Sequence, residues 1–211
     1  MKKISFIPLL ILLISACSNG PVRVACIGDS ITEGSGLEWE SRHAYPVRLD
    51  SILGDRYTVL NCGRGSATML KDGNYPYWGR DEFSNVFVFL PDIITIKLGT
   101  NDTKPFNWNA ARYERDYQAM IDTLMTLPGP PEIFCCLPVP VFEDRWGIND
   151  STMMAGVIPI IRRVAAANNL PVIDLNAPLL PYAADFPDHI HPNEAGSLKI
   201  AKLIADEIRK N

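Results

Sequence analysis

Val22-Arg23-Val24-Ala25-Cys26-Ile27-Gly28-Asp29-Ser30 is the stretch that decides how this chain folds. Val22 to Ile27 is an apolar run of strand length, and Gly28 marks where it stops. Four further runs read the same way: Tyr57–Asn61, Ile93–Leu98, Glu132–Leu137 and Pro171–Asp174. Between them lie segments with helical spacing. Ser41–Leu53 puts Val47, Leu49, Ile52 and Leu53 mostly on one face, and Trp108–Leu127 does the same with Tyr113, Tyr117, Met120, Ile121 and Leu124. Ser151–Asn168 and Asn193–Arg209 are two more, the last opening on Asn193 as an N-cap with Glu194 in the first turn. Asp81–Leu90 is apolar enough for a strand. Pro91-Asp92 breaks it just before a clearer strand, which assigns it to helix. Strand and helix in alternation predict right-handed βαβ units, hence an α/β fold with a five-stranded parallel sheet covered on both faces. Open sheets of this kind place ligands beyond the C-terminal ends of their strands, which is where Ser30 stands.

Polar clusters follow other strand ends. Asn61-Cys62-Gly63-Arg64-Gly65-Ser66-Ala67-Thr68 comes after the second run, and Gly99-Thr100-Asn101-Asp102 after the third. Near the C-terminus, Asp188-His189-Ile190-His191 sets a carboxylate three residues before an imidazole, with Pro192 and Asn193 following. A serine becomes a nucleophile when a base takes its proton, and a third group fixes the tautomer of that base. Four blocks in this order, with Gly28-Asp29-Ser30-Ile31-Thr32-Glu33-Gly34 as the first, resemble the SGNH (GDSL-type) hydrolase family over nearly the whole chain after residue 16. The resemblance implies a three-layer α/β/α sandwich of flavodoxin-like, SGNH hydrolase type and a serine esterase. It implies Ser30 as nucleophile, His191 as general base and acid, and Asp188 as the group that orients His191. It also implies an oxyanion hole from the Ser30 N–H, an N–H at Gly65 or Ser66, and the Asn101 amide. There is one departure. The family's second block usually ends Ser-Gly, and here the order is Gly65-Ser66. Either N–H can serve as donor. If the turn needs a positive φ at position 66, serine is less comfortable there than glycine.

Other residues take lesser roles. His189 is the rival base, but Phe186 and not a carboxylate lies three residues before it; it reads as a solvated loop histidine. His43 reads as an ordinary histidine in a helix. Asp29 and Asp102 read as turn or supporting residues. Trp78, Trp108 and Trp146 lie in or next to loops at the active end of the sheet and are candidates for substrate contact, stacking on a sugar or lining an acyl slot. No His/Cys spacing suits a metal. Neither a Gly-x-Gly-x-x-Gly stretch nor a Walker-type phosphate loop occurs, so no cofactor is expected. Cys26, Cys62, Cys135 and Cys136 sit in or at the ends of apolar runs and read as buried free thiols. The formal charge is −4, or −6 without Lys2 and Lys3, and no basic run exists, which disfavours nucleic acid as a partner. The expected partner is a small-molecule or glycan ester, acetyl foremost. The alternatives are a lysophospholipase or thioesterase of the same fold, or a glycan-binding lipoprotein without turnover.

The N-terminus reads as a targeting segment. Lys2-Lys3 precedes an apolar run, Ile4–Ile14, that is too short to span a bilayer. Ile14-Ser15-Ala16-Cys17 resembles the bacterial lipoprotein cleavage box. Residues 1–16 are then a signal peptide, Cys17 the lipidated residue, 17–21 a tether and 22–211 the hydrolase domain. With Ser18 and not Asp after the cysteine, the outer membrane of the cell envelope is the expected location, facing the periplasm or the surface. One acyl chain gives only marginal membrane binding, whereas a triacylated cysteine anchors stably. Cys17→Ser is therefore expected to release the protein to the soluble fraction or leave an unprocessed precursor. Unchanged size and unchanged detergent partitioning in that variant would contradict the assignment.

Overall fold

The computed structural model describes residues 20–210, so the signal peptide, Cys17 and most of the tether lie outside the described residues. Five strands form one parallel sheet: β1 (Val22–Gly28), β2 (Tyr57–Gly63), β3 (Ile93–Lys97), β4 (Glu132–Leu137) and β5 (Val172–Asp174). Their order is β2-β1-β3-β4-β5. The chain leaves β1 for one side, then returns to build β3, β4 and β5 on the other. The switch point between β1 and β3 is where this topology opens a crevice at the C-terminal strand ends.

The helices are α1 (Ser30–Glu33), α2 (Glu40–His43), α3 (Tyr45–Leu53), α4 (Asp81–Phe89), α5 (Ala110–Leu124), α6 (Asp150–Thr152), α7 (Ile158–Ala167) and α8 (Glu194–Ile208). Strand side chains alternate between two cores, as a period of two requires. Val24 and Cys26 of β1 join Tyr45 and Leu49 of α3 and Ile200 and Ile204 of α8. Ala25 and Ile27 join Val86 of α4, Met120 of α5 and Ile161 of α7. The sheet is thus covered on both faces, a three-layer α/β/α sandwich. The ambiguous segment is helix α4: Phe83 and Val86, three apart, are buried while Val88 is 81 % exposed. Cys26, Cys62, Cys135 and Cys136 are buried free thiols, and burial pushes Cys26 and Cys62 up to about 12 and Cys135 up to about 11.

Two helical segments depart from the expected spans. Ser41–Leu53 is not one helix. Pro46 has no N–H to give the carbonyl four residues back and its ring crowds that carbonyl. Ala44 accordingly takes an extended ψ of 141° between α2 and α3. In Ser151–Asn168 the backbone stays helical past Pro159, which sits in the first turn of α7, and the departure is local: Met153–Val157 before it widens into a π-helical stretch.

One polar contact joins the two strands at the switch point. Gly28 of β1 is in register with Lys97 of β3, and Lys97 Nζ lies 2.8 Å from Oδ1 of Asp29. Both side chains are fully buried. Removing one partner of such a pair strands the other charge in the interior, at about 3–5 kcal/mol. Lys97→Met is therefore expected to lower the melting temperature by roughly 10 °C. The double variant Lys97→Met/Asp29→Asn is expected to recover part of that loss. Thermal denaturation of both variants checks this, and a single variant that melts with the native protein would contradict it.

Candidate active site

Ser30 owes its position to the three residues around it. β1 ends at Gly28, where a Cβ would stand 1.9 Å from Thr32 Oγ1, so only glycine lets α1 fold back against the strand. Asp29 caps that helix, its Oδ1 accepting from the Ile31 N–H at 3.0 Å. Ser30 is then the first residue of α1, its hydroxyl facing the C-terminal loops.

The Asp188–His191 turn comes from the other end of the chain. His191 Nε2 lies 2.9 Å from Ser30 Oγ, and His191 Nδ1 lies 2.8 Å from Asp188 Oδ2. Asp188 Oδ1 accepts from the Ile190 and His191 N–H groups at 2.9 and 2.6 Å. Burial works to raise the Asp188 carboxyl. The N–H groups of His191 and Ile190 and the imidazole outweigh it, holding the group below the usual carboxylate range. The ionised carboxylate keeps the proton of the neutral imidazole on Nδ1 and leaves the Nε2 lone pair facing the serine hydroxyl. Asn193 fixes the exit of the turn by capping α8, accepting from the Ala195 and Gly196 N–H groups. His189 points elsewhere: its backbone has φ 71° and its Nε2 lies 3.2 Å from Glu143 Oε2. His43 pairs with Glu194 on the α8 side.

The oxyanion candidates converge on the same place. Ser30, Gly65, Ser66, Asn101 and His191 line one open cavity of about 260 Å³. Among the described residues none accepts from the N–H of Ser30, Gly65 or Ser66. Asn101 is buried and gives one amide hydrogen to Ala67 O at 3.2 Å, which leaves its second free to point at a ligand. Ser66 does adopt a positive φ, 63°, the conformation the family's usual glycine takes without strain. Asp102 ties the two donor loops together by accepting from the Met69 and Leu70 N–H groups at 3.0 and 2.9 Å. Burial pushes its carboxyl up to about 7 against the pull of those N–H groups.

Of the three tryptophans, Trp146 alone lines this cavity. Its ring is 5.8 Å from the His191 ring and the residue is 60 % exposed. Trp78 and Trp108 are placed otherwise. Trp78 donates to Met69 O and packs edge-on against Phe83; Trp108 packs on Tyr113 and fills the space above Gly156. Both anchor loops to the core, because an indole in a long loop gains more from burial than from standing in water. Four residues carry no mark in the sequence pattern. Lys97 had a signal, a lysine inside an apolar strand, which must find a partner when buried. Ser35, Lys104 and Ile148 line the cavity from turns and loops with no distinguishing pattern. Among the described residues no three His, Cys, Asp or Glu side chains gather as metal ligands do.

A model of the GDSL-like lipase/acylhydrolase family matches residues 26–198. An acetylxylan esterase of Xylanibacter ruminicola is 38 % identical over 93 % of this chain and 45 % of that protein. A multidomain esterase of Ruminococcus flavefaciens is 26 % identical over 83 % of this chain and 22 % of that protein. The chain thus spans less than half the length of these curated relatives. Among solved structures, the native aryl esterase of M. smegmatis matches with a TM-score of 0.73 at 21 % identity, over 90 % of this chain and 99 % of that one. A carbohydrate acetylesterase from Sinorhizobium meliloti matches with a TM-score of 0.69 at 18 % identity, again over 90 % and 99 %. At these identities the two structures share the fold.

The geometry separates the two histidines by experiment. With an ester substrate, His191→Ala is expected to lower kcat by about 10⁶ and Asp188→Asn by about 10⁴. His189→Ala is expected to cost less than tenfold, since it bonds Glu143 and not Ser30. Profiles of kcat/KM against pH for the three variants decide it; a crippled His189→Ala with an active His191→Ala would reverse the assignment.

Proposed function

The chain belongs to the GDSL-like lipase/acylhydrolase family, and within it we propose a serine esterase that removes short acyl groups, acetyl foremost, from carbohydrate. The observation that carries this reading is the unbroken line Asp188–His191–Ser30 opening into a cavity bounded by oxyanion donors. Ser30 Oγ attacks the ester carbonyl while His191 Nε2 takes its proton. The carbonyl oxygen, now negative, is held by the Ser30 N–H, an N–H at Gly65 or Ser66, and the Asn101 amide, each donor worth about 3–4 kcal/mol to the transition state. His191 returns the proton to the leaving alcohol, and the acetyl group stays on Ser30. Water, activated by the same imidazole, then releases acetate.

Two features favour a small acyl group and a sugar alcohol. Ser30, Ser35, Ser66, Asn101, Lys104 and His191 put polar groups along this small open cavity, with Ile148 and Trp146 as its large apolar members, which suits a short acyl group better than a fatty chain. The similarity to an acetylxylan esterase supports a carbohydrate substrate. Lipid attachment at Cys17 is part of the same proposal and would hold the enzyme in the cell envelope, near polymeric glycans, with Ser18-Asn19-Gly20 as tether.

Acetyl esters are expected to exceed octanoyl esters in kcat/KM by at least about tenfold, because a long chain gains no contacts along a shallow wall. Acetate release from acetylated xylan is expected as well. A preference for long chains on 4-nitrophenyl esters would move the reading to a lysophospholipase or thioesterase.

A further inference from the structure

The cavity beside Ser30 has a side for the leaving alcohol, and its chemistry is specific. The alcohol receives its proton from His191 Nε2, so it departs on the His191 side. Trp146 stands there, its ring tilted 46° to the imidazole. The next residue, Gly147, has φ 82° and packs on the stem of Lys104; a Cβ at Gly147 would sit 3.5 Å from Lys104 Cγ. Lys104 therefore lies beside Trp146 on the same wall, and it lines the cavity.

Lys104 is half-buried, and among the described residues its side chain makes no ion pair and no hydrogen bond. Among the described residues no Asp or Glu lines this cavity itself; Glu33, which accepts from the Ser35 hydroxyl at 2.7 Å, lines the adjoining groove. Burial lowers the Lys104 pKa, and Asp102 and Asp29 oppose this from a distance without touching it. The other nearby cation is spoken for: Arg64, in the adjoining groove, contacts Glu82 and donates to the Tyr75 hydroxyl. A half-buried ammonium at a cavity wall with no carboxylate partner of its own gains most from an anion arriving with the ligand.

We infer that Lys104 and Trp146 form the leaving-group subsite and select an acetylated sugar that carries a carboxylate, a uronate, over a neutral one. Trp146 offers a flat face for the sugar ring and Lys104 a charge-assisted hydrogen bond to its carboxylate. This rests on the esterase reading of the same cavity, and deepens it by naming the class of alcohol.

The test uses the Ser30→Ala protein, in which the ester is not consumed. NMR titrations compare methyl glycosides of monoacetylated glucuronic acid and monoacetylated glucose, which differ at C6 alone. The uronate is expected to bind about tenfold more tightly. Adding Lys104→Gln is expected to equalise the two affinities, and Lys104→Arg, which keeps the charge, to preserve the preference. Equal binding of both sugars by Ser30→Ala, or a preference that survives Lys104→Gln, would overturn the subsite. If native protein hydrolyses neither sugar nor 4-nitrophenyl acetate yet this order of affinities holds, the subsite stands and the esterase reading falls.

Discussion

The contact between Asp29 and Lys97 is the constraint on which the site depends. Each residue belongs to a different strand end at the switch point, and neither sees solvent. A carboxylate and an ammonium there hold each other in place, since either alone would face the desolvation cost of a buried charge. Asp29 also caps α1, which makes Ser30 the first helical residue. Lys97 closes β3, which leads through Gly99 to Asn101. One ion pair thereby sets the proposed nucleophile, Ser30, and a candidate oxyanion donor, Asn101, in the same frame. The arrangement does not require the pair to add net stability; its effect is to fix one geometry where an apolar pair would allow several.

The remaining parts are brought to this frame by separate devices. Asp188 gathers two backbone N–H groups and the imidazole, so the turn and the ring orientation are determined together. Asp102 draws the loop after β2 toward the loop after β3. Ser66 then sits at a positive φ that a non-glycine residue pays for in strain, roughly 1–2 kcal/mol. That strain sits in the loop that supplies an oxyanion donor, where backbone strain tends to persist because the surrounding structure over-determines it.

Much of this was legible before any coordinates. Strands buried on both faces leave apolar runs, and β1 and β4 were readable for that reason. The contact of His191 with Asp188 was readable from spacing alone, because a carboxylate three residues before an imidazole can fold back on it. The break before Pro46 carried a local signal that the apolar periodicity overrode. The roles of Trp78, Trp108 and Trp146 carried none. All three lie in or next to loops, and whether such an indole faces solvent or core depends on what the loop packs against. Lys104 was invisible for the same reason: its place in the proposal comes from Trp146 and from the lack of a carboxylate partner for its ammonium, both facts of tertiary placement.

A nucleophile at the tip of β1 implies a covalent intermediate, and its capture tests the account most directly. Native protein mixed with 4-nitrophenyl acetate and quenched in acid within the first turnover is digested and its peptides are weighed. The account predicts one acetyl group, on the peptide carrying Ser30, with 4-nitrophenol released in a burst matching the enzyme concentration when deacylation is slower than acylation. An acetyl group trapped on another residue, with the Ser30 peptide unmodified, would contradict it.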